Sequence, residues 1–195
     1  MRIISGFARG MRLAAPPGKN KTIRPTSDRA REALFSIIGS KIVGAAVLDL
    51  CSGTGAVGLE ALSRNARSVI MIDHTSLALQ LIKKNVLSCL KGAHPHGEVK
   101  VIKHDLTLKF LKKVLPEDTT HKGFDLIFAD PPYGTGIGET VLDIVARENL
   151  LKPTGILILE ERSGYSFPAP PEKLVFYDKR SYGEVGFFFY HVATK

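Results

Sequence analysis

"VLDLCSGTGAVGLEAL", residues 47–62, joins an apolar strand to a helix through a glycine-rich turn. Its glycines, Gly53, Gly55 and Gly58, form a G-x-G-x-x-G pattern that permits a sharp turn and close approach of a ligand to the backbone. A dinucleotide would place its pyrophosphate on the N-terminus of the following helix. The carboxylate of Asp49, four residues before Gly53, would instead repel phosphate and favour a cationic or amine-bearing ligand. S-adenosylmethionine is such a ligand, because it carries a sulfonium and an α-amino group.

Two more acidic residues end strand-like runs and suit the same ligand. Asp73 ends the second run, 24 residues after Asp49, near the spacing of about 20 residues at which a ribose-binding acid follows such a turn. We expect its carboxylate to accept hydrogen bonds from the ribose hydroxyls. Asp105 ends the third run, where it could accept from the adenine amino group or, alternatively, cap the next helix.

Short apolar strands alternate with helical segments from residue 46 onward, which is typical of a parallel sheet covered on both faces. The expected strands are 46–50, 68–73, 99–105, 124–130 and 155–161, and the expected helices are 56–64, 76–90, 106–115 and 138–150. The aromatic runs 173–182 and 185–193 predict an antiparallel hairpin on the sheet edge. The predicted fold class is therefore α/β, with a mostly parallel seven-stranded sheet.

Basic residues are concentrated at the start of the chain. The net charge is +8, yet residues 1–31 hold eight basic residues and a single acid, Asp28. Such a patch favours nucleic acid as a partner, although basic termini and helix faces are often only solvated. The candidate RNA-binding residues are Arg2, Arg9, Arg12, Arg24, Arg29 and Arg31. We expect residues 1–39 to form a basic extension, with a small hairpin and a helix from Ser27 or Asp28, and residues 40–195 to form the main domain.

"DLIFADPPYGTG", residues 125–136, ends a predicted strand with an unusual cluster. Asp130 supplies a carboxylate, and Pro131 and Pro132 fix the backbone and remove two N–H donors. A carboxylate and a rigid carbonyl could together accept both hydrogens of one –NH2 group, while Tyr133 offers a flat face for a base. Holding both N–H bonds exposes the nitrogen lone pair to a methyl donor.

Composition excludes several other classes of protein. No apolar run has the roughly 18 residues that span a membrane, and residues 1–10 lack the apolar core of a signal peptide. Cys51 and Cys89 are too few for a disulfide framework or a zinc cage, and His94 and His96 are interpreted as part of a solvated loop. We therefore expect a cytoplasmic monomer without a metal.

The motifs "DLCSGTG" and "DPPY" resemble those of class I S-adenosylmethionine-dependent methyltransferases that act on amino groups. The segments "RIISGFARGMRL", "RPTSDRAREALFSII" and "GTGAVGLEALSRNA" resemble the small bacterial 16S rRNA guanine-N2 methyltransferases, the RsmD family, over nearly the whole chain. This resemblance implies methyl transfer to guanine 966 of 16S rRNA, free or within a 30S particle. It implies catalytic roles for Asp130, Pro131, Pro132 and Tyr133. It also implies cofactor contacts by Thr26, Asp49, Ser52, Gly53, Thr54, Gly55, Gly58, Asp73 and Asp105.

Other interpretations remain open from sequence. An adenine-N6 methyltransferase acting on DNA or RNA would use a similar motif, and a non-catalytic RNA-binding protein could retain the fold. Cys51 is interpreted as a packing residue and residues 187–190 as core. Glu160 and Glu161 end the fifth strand and are interpreted as surface acids, although one of them could shape the substrate pocket.

Overall fold

The computed structural model describes residues 1–16, 28–91, 97–108, 110–117 and 122–193. The chain divides into two compact units, Met1–Lys103 and His104–Lys195. The predicted boundary after residue 39 stays a prediction. Arg24, Thr26, Ser27 and the two histidines of the 91–100 loop lie outside the described residues.

The first unit contains three parallel strands. Their order is β3-β2-β1, and Val47 of β1 is in register with Val69 of β2. Every residue of β1 is buried, which is typical of a parallel strand that is covered on both faces. The elements are α1 (Asp28–Ile38), a 3₁₀ turn (Gly39–Ile42), β1 (Ala46–Leu50), α2 (Ala56–Ser63), β2 (Ser68–Asp73), α3 (Ser76–Leu90) and β3 (Glu98–Lys103).

The second unit contains the remaining four strands in the order β4-β5-β7-β6. Its elements are a 3₁₀ turn (Leu111–Lys113), β4 (Phe124–Ala129), α4 (Ile137–Glu148), β5 (Leu151–Arg162), β6 (Leu174–Tyr182) and β7 (Val185–Val192). β4 and β5 are parallel, whereas β7 is antiparallel to both β5 and β6. The predicted α/β class, the seven strands and the C-terminal hairpin are confirmed. Among the described helices, none combines the length and the apolar character needed to cross a membrane.

Two predicted elements differ from the structure. The helix expected at 106–115 is replaced by a turn and the 3₁₀ turn at Leu111–Lys113. Phe110 has φ 71°, which an α-helix cannot contain, while Leu106 and Leu115 are buried without a helix. β5 is also longer than expected, because it begins at Leu151 rather than Gly155.

The N-terminal residues form the expected small hairpin and pack against α2. Arg2 pairs with Arg12 through an antiparallel bridge. Gly6 has φ +82°, and a Cβ atom there would lie 1.7 Å from the carbonyl oxygen of Ser63. Glycine is therefore required where the hairpin contacts the last residue of α2.

A buried carboxylate holds this hairpin in place. Glu60, on α2, is 0% exposed and accepts hydrogen bonds from the backbone N–H groups of Ile4 (2.7 Å) and Ser5 (3.0 Å). Its carboxylate also accepts from Arg64 at 2.8 Å and lies 3.8 Å from Arg31 Nε. These donors compensate for the removal of the carboxylate from water.

Arg31 corrects one prediction. Its side chain is buried, contacts the Arg2 carbonyl oxygen, and pairs with Asp28 at 3.0 Å as well as with Glu60. A guanidinium enclosed in this way is not exposed to an RNA phosphate. Arg31 therefore helps to pack α1 against the hairpin and is not part of the exposed set of arginines.

Replacing Glu60 tests the importance of this network. We expect Glu60→Ala to lower the free energy of unfolding by about 3–5 kcal/mol, because the N–H groups of Ile4 and Ser5 would lose their acceptor and the buried Arg31 would lose one of its two carboxylate partners. The matched control Glu98→Ala, on the exposed side of β3, is expected to change it by less than about 0.5 kcal/mol. Urea denaturation measures both values, and equal losses would contradict the role assigned to Glu60.

Candidate functional site

The turn between β1 and α2 is built from left-handed backbone conformations. Cys51, Gly53 and Gly55 have φ values of 56°, 55° and 76°, a region that glycine enters without steric cost. The Ser52 hydroxyl donates to the Asp49 carbonyl (2.6 Å) and accepts from the N–H of Ile72 (3.0 Å). Ser52 thereby joins the carboxyl ends of β1 and β2 and fixes the turn.

Asp49 is buried beneath this turn. Its Oδ2 accepts the N–H of Gly58 at 3.0 Å, and a Cβ atom at position 58 would lie only 2.8 Å from Met71. The third glycine of the motif is thus explained by close packing of α2 on β2. Burial raises the pKa of Asp49 to about 7, and the Gly58 N–H opposes that rise.

Asp73 lies at the end of β2 and connects the turn to α3. Its Oδ2 accepts the N–H of Gly53 at 3.0 Å, while Oδ1 accepts the N–H (2.9 Å) and the hydroxyl (3.0 Å) of Thr75. Thr75 caps α3 by accepting the N–H of Ala78. The first unit therefore brings Asp49, Ser52 and Asp73 to one edge of its sheet.

Asp105 lies two residues beyond the end of β3, in the second unit. Its Oδ1 accepts the N–H (2.9 Å) and the hydroxyl (2.8 Å) of Thr107. Asp105 thus caps a turn with its side chain, which is closer to the predicted capping role than to a ligand contact at a strand end. A role for Asp105 toward adenine stays a prediction.

The Asp130–Tyr133 motif directly follows β4. Pro131 is buried, and the Pro132 carbonyl accepts the Thr135 hydroxyl at 2.6 Å. Tyr133 is half-buried, and its hydroxyl donates to Glu160 at 2.9 Å. Burial raises the pKa of Tyr133 above its usual range, and the nearby charges of Glu160 and Asp130 add to this effect. The phenol therefore stays neutral and donates its proton to Glu160.

Glu160 and Glu161 were wrongly predicted as surface acids. They are 2% and 5% exposed, and Glu161 accepts the N–H of Gly134 at 2.9 Å. The parallel register of Ala129 with Leu159 sets these carboxylates beside the motif. The sequence did contain a signal for this arrangement. The strands β4 and β5 are both apolar and both end in acidic residues, and parallel neighbours bring such ends to the same edge of the sheet.

The aromatic run at the C-terminus is part of the core, as predicted. Phe187, Phe188, Phe189 and Tyr190 are each at most 3% exposed. They lie on β7, which has a paired strand on both sides. They therefore do not offer a surface on which bases could stack. Within the described ranges, no three His, Cys, Asp or Glu side chains form a group able to hold a metal ion.

The sheet, the glycine turn and the acids at strand ends define a Rossmann-like methyltransferase fold. The structure of the putative methyltransferase yhhF of Escherichia coli is similar to this chain, with a TM-score of 0.78 and 29% identity, covering 100% of this chain and 99% of that one. A putative RNA methyltransferase of Pyrococcus horikoshii, 16% identical with a TM-score of 0.67 over 93% of each chain, shares the fold.

Sequence relatives identify the family. The chain belongs to the family described as Conserved hypothetical protein 95 (Cons_hypoth95), whose model matches residues 1–191. The putative rRNA methyltransferase YlbH of Bacillus subtilis is 32% identical over 190 residues, covering 97% of this chain and 98% of the relative. Ribosomal RNA small subunit methyltransferase D of Haemophilus influenzae is 34% identical over 160 residues, covering 82% and 78%. The predicted family resemblance is confirmed.

The buried carboxyl of Asp49 predicts a pH-dependent stability. Between pH 3.8 and about 7 the folded state keeps a proton that the unfolded state has released, so Asp49 makes the protein less stable as the pH rises through this window. Asp49→Asn lacks this titration. We therefore expect the Tm of Asp49→Asn minus that of the wild type to be several degrees larger at about pH 8 than at about pH 5.

Differential scanning calorimetry of both proteins across this pH range measures the effect. Asp143→Asn, which replaces an exposed carboxylate of α4, provides the control, and the change in the Tm difference between the two pH values should be larger for Asp49→Asn than for Asp143→Asn. A pH-independent difference for Asp49→Asn would contradict the raised pKa.

Proposed function

We propose that this protein transfers a methyl group from S-adenosylmethionine to the N2 amine of a guanine in 16S rRNA. The names of its relatives as rRNA methyltransferases support the reaction class and the RNA. The observation that carries the proposal is the Asp130–Tyr133 motif, which two buried carboxylates, Glu160 and Glu161, hold at the end of a parallel strand.

The first unit suits a positively charged cofactor. Residues 49–58 contain no cationic side chain, and Asp49 and Asp73 lie at the turn, a combination that favours sulfonium and amino groups over pyrophosphate. A carboxylate can accept about four hydrogen bonds. Asp73 accepts three, from Gly53 and Thr75, so it can also accept one from a ribose hydroxyl. Ser52, Thr54, Gly55 and Gly58 complete the proposed cofactor residues, with Asp105 for adenine and Thr26 for the methionine end. When bound, the cofactor supplies an electrophilic methyl group.

The second unit suits an exocyclic amine. Asp130 and the carbonyl of one of the two prolines would accept hydrogen bonds from the two N–H groups of the amine, which exposes the nitrogen lone pair to a methyl donor. In this transfer a nitrogen–carbon bond would form as the carbon–sulfur bond breaks, with the electron pair staying on sulfur, and the methylated amine would then release one proton to solvent. Tyr133, with its hydroxyl held by Glu160, presents its ring to the base. The target base must leave its stack to be reached.

The N-terminal arginines suit the RNA backbone. A cavity of about 330 Å³ in the first unit is lined by Arg2, Arg9 and Arg29, together with Ile3, Ile4, Gly10, Asp28 and Glu32. Arg2, Arg9, Arg12 and Arg29 are exposed, and exposed guanidinium groups bind phosphates through paired N–H donors. We assign phosphate contacts to these four arginines and retain Arg24 as a prediction.

Replacing Asp130 tests the proposed chemistry. We expect Asp130→Ala to lower methyl transfer to rRNA by at least about 100-fold, because the amine loses its carboxylate acceptor. The Kd for S-adenosylmethionine should stay within a few-fold of the wild-type value, as measured by calorimetry. Transfer is measured with labelled cofactor and either free 16S rRNA or 30S particles. The control Asp143→Ala removes an exposed carboxylate of the same unit and should leave transfer unchanged. Wild-type turnover by Asp130→Ala would refute its role.

Salt dependence tests the arginine surface. The affinity K falls as salt rises, and removing one phosphate contact reduces the magnitude of the negative slope of log K against log salt by about 0.7 for single-stranded RNA. We expect this change, with weaker binding, for Arg9→Gln and for Arg29→Gln. Lys41→Gln, which removes an exposed cation outside the cavity, serves as the control. Equal effects at all three positions would show that only overall charge matters, and would contradict a defined arginine surface.

A further inference from the structure

Asn85 is a buried polar residue within the otherwise apolar inner face of α3. It is 1% exposed, and its helical neighbours Leu81, Ile82 and Cys89 are buried apolar side chains. Asparagine is a weaker helix former than leucine, and a buried amide is costly unless it is fully hydrogen-bonded. Neither the helix nor the core therefore accounts for an asparagine at this position.

The amide of Asn85 bonds to two separate segments of the first unit. Its Oδ1 accepts the N–H of Ala14 at 2.7 Å. Its Nδ2 donates to the carbonyl oxygen of Ala14 at 3.1 Å and to that of Thr54 at 2.9 Å. All three bonds go to backbone groups outside α3. One planar side chain thus holds residues that are 40 positions apart in the sequence.

The two segments carry different parts of the proposed function. Thr54 lies between Gly53 and Gly55 in the left-handed turn, and its hydroxyl also lies 3.9 Å from the sulfur of Met1. Ala14 belongs to the N-terminal segment, residues 1–16, which carries three of the exposed arginines. Glu60 holds that segment at Ile4 and Ser5, and Asn85 holds it at its other end.

We propose that Asn85 is a positioning residue that couples the N-terminal segment to the glycine turn, so that the affinity of the turn for S-adenosylmethionine depends on the placement of residues 1–16. A shift of the Ala14 backbone moves the Asn85 amide and, with it, the Thr54 carbonyl. By linkage, RNA bound to the segment and cofactor bound to the turn change each other's affinity by the same factor. This inference rests on the proposed function.

Two variants separate the two ends of the link. Asn85→Leu removes all three hydrogen bonds with little change in side-chain volume. Ala14→Pro removes only the backbone N–H of residue 14, which donates to Asn85 Oδ1. Cys89→Ala is the matched control, since Cys89 lies one turn further along the same buried face of α3 and is 3% exposed. If Asn85→Leu does not fold, Asn85→Ser replaces it, because serine is too short to bond both segments.

Calorimetry gives the first readout. We expect Asn85→Leu, which loses all three hydrogen bonds, to raise the Kd for S-adenosylmethionine about tenfold, and Ala14→Pro, which loses one of them, to raise it about threefold or more. The double variant should match Asn85→Leu, since the link is then already broken. Cys89→Ala should stay within about twofold even if its Tm falls. An unchanged Kd in Ala14→Pro would overturn the proposal.

Amide hydrogen exchange gives a second readout that needs no cofactor. We expect faster exchange at Gly55 and Gly58 in Ala14→Pro than in the wild type, with no such change in Cys89→Ala. Unchanged exchange in the turn of Ala14→Pro would contradict the link directly. If the wild-type protein bound no S-adenosylmethionine, the proposed function would fail while this exchange experiment would still decide the coupling.

Discussion

The backbone turn after β1 is the constraint on which the first unit depends. Left-handed conformations at Cys51, Gly53 and Gly55 reverse the chain within five residues and start α2 directly over the sheet. Neighbouring groups hold the turn from several directions. Ser52 ties it to β2, Asp73 accepts the N–H of Gly53, and Asn85 of α3 connects it to the N-terminal segment. A change at any of these contacts therefore reaches the proposed cofactor residues.

Buried carboxylates and amides do most of this positioning. Asp49, Glu60, Glu160 and Glu161 are each at most 5% exposed, and each accepts a hydrogen bond from a backbone N–H or a hydroxyl group. A carboxylate removed from water is stable only with such donors, so each of them fixes the segment that supplies the donor. In the second unit this fixes the aromatic ring and the backbone of the Asp130–Tyr133 motif, as the proposed transfer to an amine requires.

Local pattern was enough to predict the strands, the glycine turn, the C-terminal hairpin and the buried run 187–190, because periodicity and turn chemistry determine these features within a few residues. It failed where distant parts of the chain meet. Glu60 contacts backbone 56 positions away, and nothing near it in the sequence distinguishes it from a solvated helix acid. The helix expected at 106–115 failed because apolar spacing does not reveal the left-handed Phe110.

The identity of the methylated nucleotide is the decisive test of the proposed methyl transfer. The wild-type protein is incubated with labelled S-adenosylmethionine and 16S rRNA, free or in 30S particles, and the RNA is digested and analysed by mass spectrometry. We expect label in N2-methylguanosine at one position. Label in N6-methyladenosine, or no label in either substrate, would contradict it.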